Sequence, residues 1–298
     1  MAQAIRFVVP DADDGLRLDQ ALARHVPGLS RRRARVLIDL GGVFVDRGRV
    51  KVAGRPVRAG QAVEANLGGA LDRATGTGAA ARARDDAELP AYRIVHEDEH
   101  LLVVDKPAGL VTAPTPESDR GNLLDLLSRR GAGPVYLVHR LDLPTSGLLV
   151  FARTAQANKV LGQRFSVHDV EREYTAVVAG APPADLTTID RPIRGQRAVT
   201  HLVGREPVAG ATILTVRLET GRSHQIRIHL AAVGHPLLGD DTHGADVRHF
   251  EPRPPRLALH AGVLGFRHPA DDRPVRWTSP PPPELAAWLD RLREVPVP

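Results

Sequence analysis

Residues 139–147 have the sequence His-Arg-Leu-Asp-Leu-Pro-Thr-Ser-Gly and lie between two short apolar runs, residues 135–138 and 148–151. Both runs are rich in β-branched and aromatic side chains, which is typical of buried strands. The proline and the glycine predict an ordered turn between these strands. Charged side chains in such a turn indicate a functional site with Asp142 as its carboxylate. The alternative is that Arg140 and Asp142 form an ion pair that only fastens the turn.

This stretch resembles the catalytic motif of the RluA-type pseudouridine synthases, which is His-Arg-Leu-Asp, two variable residues, Thr-Ser-Gly and an apolar run. The resemblance implies that the protein isomerises uridine to pseudouridine in RNA, by detaching uracil from C1′ of its ribose and rejoining it through C5. By motif position it implies that Asp142 is the essential catalytic residue, acting as nucleophile or general base. It also implies that Arg140 fills the position vacated by a flipped base, and that His139 contacts the substrate.

Two further segments are similar to blocks of the same family. Arg172-Glu173-Tyr174 matches a Lys-x-Tyr pattern, with Arg in place of Lys, and implies that Tyr174 contacts the target base. Residues 256–261 match a block in which an apolar residue lines the uracil site, which implies that role for Leu259. Without the resemblance, a tyrosine at the start of a strand is as often a packing residue.

A third block, residues 221–227, has the sequence Gly-Arg-Ser-His-Gln-Ile-Arg and matches the family pattern Gly-Arg-x-His-Gln-Ile-Arg throughout. The resemblance implies that Arg222 is the catalytic basic partner of Asp142. A partly buried carboxyl group tends to have a raised pKa, and an adjacent arginine keeps it ionised. The alternative is an arginine that only supports the start of a helix.

The histidines of this region do not have the spacing of a metal site. His224 and His229 are five residues apart rather than four as in His-Glu-x-x-His, so they diverge around a helix. We therefore predict no metal site and interpret these histidines as capping or packing residues. The segment 239–244 also resembles the family, except that His243 stands where the family commonly has Tyr.

Composition excludes several classes of protein. The 298 residues are 42% hydrophobic and 25% charged, which is typical of a globular chain with room for more than one domain. There is no Cys, so disulfide scaffolds, Cys-ligated metals and thiol catalysis are excluded. The sequence has no signal-peptide pattern and no apolar run of about 18 residues, so we expect a cytoplasmic protein without a membrane span. It also lacks a P-loop and a dinucleotide fingerprint, and no cofactor is expected.

The positive charge is concentrated at the N-terminus. Residues 1–66 hold 12 Lys and Arg against seven Asp and Glu, a net charge of +5, whereas the remainder is neutral with 28 of each. Ser30 is a candidate N-cap for a helix whose opening turns hold Arg31, Arg32, Arg33 and Arg35. Cations there oppose the helix dipole, whereas phosphate binding would favour them. Extra arginines for solubility are the alternative.

Residues 17–66 resemble the S4 RNA-binding module, through Arg17-Leu18-Asp19, Ser30-Arg31, the segment 42–46 and Gly60-Gln61. The resemblances together imply an α+β chain. A small α+β S4-like domain (1–66) and a flexible Gly-, Ala- and Arg-rich linker (67–89) precede a catalytic domain (90–298) with a mixed, largely antiparallel β-sheet and flanking helices. The S4-like arginines, including Arg17, are expected to contact RNA phosphates.

Periodicity predicts further elements. Strands are expected near 94–95, 101–104, 172–178 and 214–218, and helices over 17–25, 122–129 and 156–165, with a C-terminal helix that buries Leu285, Trp288, Leu289 and Leu292. Lys106, in a Lys-Pro turn, has two open interpretations, a phosphate contact or a structural role.

The expected partner is RNA, with large-subunit ribosomal RNA favoured over tRNA by the S4 association, and the protein is expected to be a monomer. A catalytically silent RNA-binding or ribosome-assembly factor is the alternative from another class, although Asp142, Tyr174 and Arg222 are all present. A histidine-based phosphodiesterase would need two histidines on one short unit, which the spacing does not supply.

Overall fold

The computed structural model describes residues 3–67, 89–114, 121–244 and 250–295. The chain divides into two compact units, Met1–Leu89 with Ala113–Leu126 and Pro90–Thr112 with Leu127–Pro298. Apart from its two end residues, the predicted linker 67–89 lies outside the described residues.

The N-terminal unit packs two helices against a small antiparallel sheet. The helices are α1 (Leu18–His25) and α2 (Arg31–Asp39), and the sheet has the order β1-β4-β2-β3, with β1 (Gln3–Val8), β2 (Val43–Val45), β3 (Gly48–Arg49) and β4 (Ala62–Leu67). The predicted cap of α2 is confirmed, because Ser30 Oγ accepts a hydrogen bond from the N–H of Arg33 at 3.3 Å. The apolar faces of both helices and the sheet form one core, which includes Leu18, Leu22, Leu37, Val43 and Val63.

The second unit is built on a large mixed sheet. Along its described strands the order is β10-β11-β12-β9-β13-β8-β6-β5, with β14 paired to β13 and β7 paired to β8. The strands are β5 (Arg93–Glu97), β6 (Leu101–Lys106), β7 (Tyr136–Leu137), β8 (Ser146–Ala152), β9 (Glu171–Ala179), β10 (Thr188–Asp190), β11 (Val199–Val208), β12 (Ala211–Leu218), β13 (Leu259–Arg267) and β14 (Pro274–Thr278). Among the described pairings of this sheet β13–β8 is parallel and the others are antiparallel, so the predicted fold class is confirmed.

Strand β8 lies inside this sheet, between β13 and β6. Every residue of Ser146–Ala152 is buried, as expected for a strand with side chains packed on both faces. Its neighbour β7 is shorter than the predicted 135–138, and its two residues are half-buried. The loop that joins β7 to β8 carries Asp142.

The remaining helices agree with the predicted pattern. They are α3 (Leu123–Arg129), α4 (Ala155–Ser166), α5 (Gln225–Ala232) and α6 (Pro283–Glu294). In α6 all four predicted side chains are buried. Within the described residues, no helix combines the length and the apolarity needed to cross a bilayer.

Candidate active site

A buried lysine, Lys106, holds the loop that carries Asp142. Lys106 is fully buried, and its Nζ donates hydrogen bonds to the carbonyls of Pro107 and Leu110 at 2.9 Å and Leu143 at 3.3 Å. Burial lowers the pKa of Lys106 to about 7; the Arg256 charge acts in the same direction and the Asp142 charge opposes it. Of the two interpretations left open for Lys106, the structure supports the structural role. Its amino group is buried against backbone carbonyls and cannot reach a phosphate from this position.

Other contacts fix the loop on both sides of Asp142. Thr112 Oγ1 donates to the carbonyl of Leu141 at 2.8 Å and accepts from its N–H at 3.3 Å. From the opposite side, Arg256 donates to the carbonyl of Pro144 at 3.4 Å and to Ser146 Oγ at 2.7 Å. These contacts fix the backbone on either side of Asp142.

Gly147 is the second residue of β8, at the point where β8 pairs with β13. Its φ is +118°, and a Cβ atom there would lie 2.2 Å from the carbonyl oxygen of Ala261. An L side chain at this position is strained by its φ and also collides with backbone that cannot move aside.

We expect Gly147→Ala to lower the free energy of unfolding by roughly 3 kcal/mol or more, through backbone strain and overpacking. Urea denaturation followed by circular dichroism measures this. The matched control is Gly162→Ala, because Gly162 lies inside α4 and a Cβ atom added there would meet nothing within 4 Å, so alanine should stabilise by about 1 kcal/mol. Equal midpoints for the two variants would contradict the close approach of β8 and β13.

The two carboxylate oxygens of Asp142 face different partners. Oδ2 lies 3.5 Å from Nη1 of Arg227, and Oδ1 lies 3.9 Å from Nε2 of His224. The side chain of Asp142 is 27% exposed, so it is open to a substrate and yet close to a buried cation. This arrangement suits a reactive carboxylate, because the guanidinium favours its ionised form without enclosing it.

Arg227 is itself held by a buried carboxylate. Its Nε and Nη2 donate to the two oxygens of Asp240 at 2.7 and 2.6 Å, and both residues are buried. Burial alone would raise the pKa of Asp240, but the hydrogen bonds from Arg227 and from the N–H groups of His243 and Thr242 outweigh it and lower the pKa to about 2. The two-point contact directs the remaining Nη1 toward Asp142.

The predicted pairing of Arg222 with Asp142 is wrong. Arg222 precedes α5, and in the described part of the chain its Nε donates to the carbonyl of Arg197 at 3.1 Å, while its N–H donates to Oε1 of Gln225 at 3.0 Å. Arg227 lies within α5 and takes the position predicted for Arg222. Its signal in the sequence was a charge between Ile226 and Ile228, because a buried arginine in an apolar segment needs a partner.

Tyr174 lies on β9 and is buried. The charge of Asp142 is close enough to affect the ionisation of its phenol. Burial raises the pKa of Tyr174; the Asp142 charge adds to this effect and Arg172 opposes it. The phenol is therefore protonated at neutral pH and can donate a hydrogen bond. Ala261 is the cross-strand partner of Tyr174, and Leu259 is the partner of Ala176, so Leu259 and Tyr174 lie on one face of the sheet.

The two residues before Leu141 have different surroundings. Nε2 of His139 accepts a hydrogen bond from the N–H of Val150 at 3.1 Å, and the ring stacks on Phe165 with centroids 4.5 Å apart. Burial, aided by the Arg172 charge, lowers the pKa of His139 to about 3, so the ring is neutral. His139 thus anchors the loop, and its contact with substrate stays a prediction. Arg140 is exposed and has no hydrogen bond or ion pair with any residue in the described ranges.

His224 belongs to the site although the sequence suggested a capping or packing role. It precedes α5 with a left-handed backbone, φ +56°, and its side chain makes no capping hydrogen bond. Its Nδ1 lies 3.1 Å from Nε2 of His243. His229, by contrast, packs as expected between Thr200 Oγ1 and the Arg191 carbonyl.

The N-terminal arginines surround a buried carboxylate within their own unit. Arg17 and Arg35 donate to Asp19 at 3.1 and 2.8 Å, and Arg31 lies 3.7 Å away. Burial would raise the pKa of Asp19, but hydrogen bonds from Arg17 and Arg35 lower it. One carboxylate thus orders three guanidinium groups. Arg32 is exposed, and Arg33 is half-buried.

Comparison with known proteins identifies the family. Residues 100–232 match the sequence profile described as RNA pseudouridylate synthase, and residues 16–63 match that of the S4 domain. The chain is 38% identical to the "Ribosomal large subunit pseudouridine synthase D" of Xanthomonas campestris pv. campestris, over 96% of this chain and 92% of the relative. The chain belongs to the RNA pseudouridylate synthase family.

Other RNA pseudouridylate synthases support this placement. A protein of the same name from Nitrosomonas europaea is 36% identical over 98% of this chain and 89% of its own length. The solved structure of human RNA Pseudouridylate Synthase Domain Containing 1 is 26% identical, with a TM-score of 0.52 over 71% of this chain and 98% of that one. The resemblance to RluA-type pseudouridine synthases and to the S4 module is thereby confirmed.

Proposed function

We propose that this RNA pseudouridylate synthase isomerises uridine in large-subunit ribosomal RNA, with Asp142 as its catalytic carboxylate. The observation that carries the proposal is the position of Asp142, partly exposed on a loop fixed at several points and beside the buried Arg227. Arg227 replaces Arg222 in the proposed catalytic set. The relatives named as large-subunit ribosomal RNA synthases support the substrate class, and tRNA is the alternative.

The residues around Asp142 have complementary roles in this proposal. A uridine stacked in a helix is out of reach, so the target base is flipped or already unpaired. Arg140, exposed beside Asp142, fills the space that the base leaves. Tyr174 donates a hydrogen bond to the base, and Leu259 contacts its apolar face. Asp142 then acts as nucleophile or general base, held ionised by Arg227.

The domain organisation belongs to the same proposal. Residues 1–66 form the S4-like RNA-binding domain, residues 67–89 a linker, and residues 90–298 the catalytic domain. The protein acts in the cytoplasm as a monomer. The arginines around Asp19 supply salt-sensitive affinity for the RNA backbone, with little sequence information of their own.

The test of this function is release of tritium from RNA labelled at uracil C5. Formation of the C5 glycosidic bond must expel that hydrogen, so wild-type protein should release tritium from unmodified large-subunit ribosomal RNA. Release from tRNA alone would move the substrate class to tRNA. Absence of release from both RNAs, with binding retained, would favour a catalytically silent RNA-binding factor.

The S4-like surface gives a separate prediction. Arg32 is exposed, so Arg32→Ala should weaken RNA binding without a cost in folding and reduce the slope of log K against log salt by about 0.7 to 0.9. Filter binding at several salt concentrations measures the slope. Arg6→Ala is the control, because Arg6 is exposed but paired with Glu64 at 2.9 Å. An unchanged slope for Arg32→Ala would exclude Arg32 from the phosphate contacts.

A further inference from the structure

His224 and His243 form a hydrogen-bonded pair, and His224 lies beside the catalytic carboxylate. We propose that these two imidazoles relay a proton between Oδ1 of Asp142 and solvent during isomerisation. The inference rests on the proposed function, since it assigns the relay to a reaction at Asp142. It makes His224 and His243 positioning residues that act through Asp142, rather than groups that contact the reacting atoms.

The geometry of the three side chains supports a relay. Nε2 of His224 lies 3.9 Å from Oδ1 of Asp142, and its Nδ1 lies 3.1 Å from Nε2 of His243. The two rings meet edge to face, with centroids 5.3 Å apart and an interplanar angle of 76°. Each ring of His224 and His243 therefore uses one nitrogen for the imidazole pair, and His224 turns its other nitrogen toward Asp142.

The backbone on both sides keeps this arrangement in place. His224 has a left-handed conformation, which is uncommon and strained for residues other than glycine. The N–H of His243 donates to Oδ1 of Asp240 at 3.0 Å. Asp240 therefore orients two residues of the site. It directs Arg227 toward Oδ2 of Asp142 and His243 toward His224.

The reaction can use such a path because it moves protons without consuming any. The N1–C1′ bond breaks and the C5–C1′ bond forms, C5 loses a proton, and N1 gains one. If Asp142 accepts a proton from the substrate, its carboxylic acid must release that proton before the next turnover. Nε2 of a neutral His224 can take it while Nδ1 passes a proton to His243, which returns one to water. The same path run in reverse supplies a proton to N1.

The charges that face His224 keep it in the form that the relay needs. They belong to Asp142 on the catalytic loop, Arg227 on α5, and His243 and Asp240 on the segment that follows α5. Burial lowers the pKa of His224 below its ordinary 6.5, Arg227 and His243 act in the same direction, and the two carboxylates oppose them. At neutral pH the imidazole of His224 is consequently neutral and can accept a proton, and the relay is blocked when His224 becomes protonated at lower pH.

The experiment is the pH dependence of the single-turnover rate of tritium release by the full-length protein, with KM measured alongside. In wild type we expect the rate to fall on the acid side below pH 6.5. His224→Asn, which tolerates the left-handed backbone, should lower the rate at neutral pH by about 10²-fold with little change in KM. The acid limb that reports His224 should disappear.

His243→Tyr tests the second member of the pair. Tyrosine can still hydrogen-bond to His224, but its hydroxyl does not take up a proton near neutral pH. Without a base at this position Nδ1 of His224 has no group to which it can pass its proton, so the rate at neutral pH should fall while KM changes little. His168→Asn is the control, because His168 also has a positive φ, +64°, and should keep both the rate and the limb.

The outcomes separate this inference from the proposed function. Wild-type rate in His224→Asn or in His243→Tyr would overturn the relay while leaving the isomerase intact. Loss of tritium release in wild type itself, or full activity in Asp142→Asn, would overturn the proposed function instead.

Discussion

Asp142→Asn is expected to lower tritium release from C5-labelled RNA by about 10⁴-fold or more, because an amide is neither a nucleophile nor a general base at neutral pH. The affinity for RNA should change by less than about tenfold, which corresponds to 1.4 kcal/mol. Time courses of tritium release measure the rate, and filter binding on the same RNA measures the affinity.

The structure explains why this variant should fold and bind. Asparagine has nearly the same shape as aspartate, and the contacts that hold the loop are made by the backbone of its neighbours, Leu141 and Leu143 among them. Arg227 keeps its two hydrogen bonds to Asp240. Asp185→Asn on the exposed surface is the control. If affinity fell as much as the rate, Asp142 would be a binding residue rather than the reactive group.

Arg227→Met is expected to lower both the stability of the fold and the rate of the reaction. Arg222→Met should have only a small effect on stability and none on the rate. Loss of Arg227 leaves Asp240 as a buried unpaired carboxylate, which should cost about 3 to 5 kcal/mol of stability. It also removes the cation beside Asp142 and should reduce the rate by about 10² to 10³-fold. Arg222→Met removes a hydrogen bond to a backbone carbonyl, which is worth about 1 kcal/mol.

A double variant separates the fold from the chemistry. Arg227→Met combined with Asp240→Asn removes both buried charges, and stability should recover substantially because no unpaired ion remains. Activity should stay low, since Asp142 still lacks its partner. Urea denaturation and tritium release at neutral pH measure the two quantities. Recovery of activity in the double variant would show that Arg227 acts only through stability.

The pH dependence of stability follows from the same pair. The folded-state pKa of Asp240 is lowered to about 2, below its ordinary value of 3.8. The stabilisation is therefore fully present above pH 4 or so and is lost as the pH falls through about 2. Asp240→Asn should flatten the acid part of the stability curve relative to wild type.

Local patterns in the sequence determined much of this protein. The apolar runs on either side of 139–147 become β7 and the fully buried β8, and the predicted cap at Ser30 and the inward face of α6 are present. These features depend on neighbours within a few residues, and periodicity reports such neighbours directly. The motif around Asp142 also identified the family, since its residues are contiguous.

The tertiary structure alone decided which side chains meet at Asp142. Two arginines stand five positions apart in one motif, and the start of α5 at Gln225 leaves Arg222 on the preceding turn and buries Arg227 against Asp240. His224 reaches the site because its backbone is left-handed, which no periodicity shows. Lys106 is similarly ambiguous until its depth is known. Motif position specifies a residue type, whereas the direction of a side chain depends on helix phase, backbone conformation and the charges brought close by distant parts of the chain.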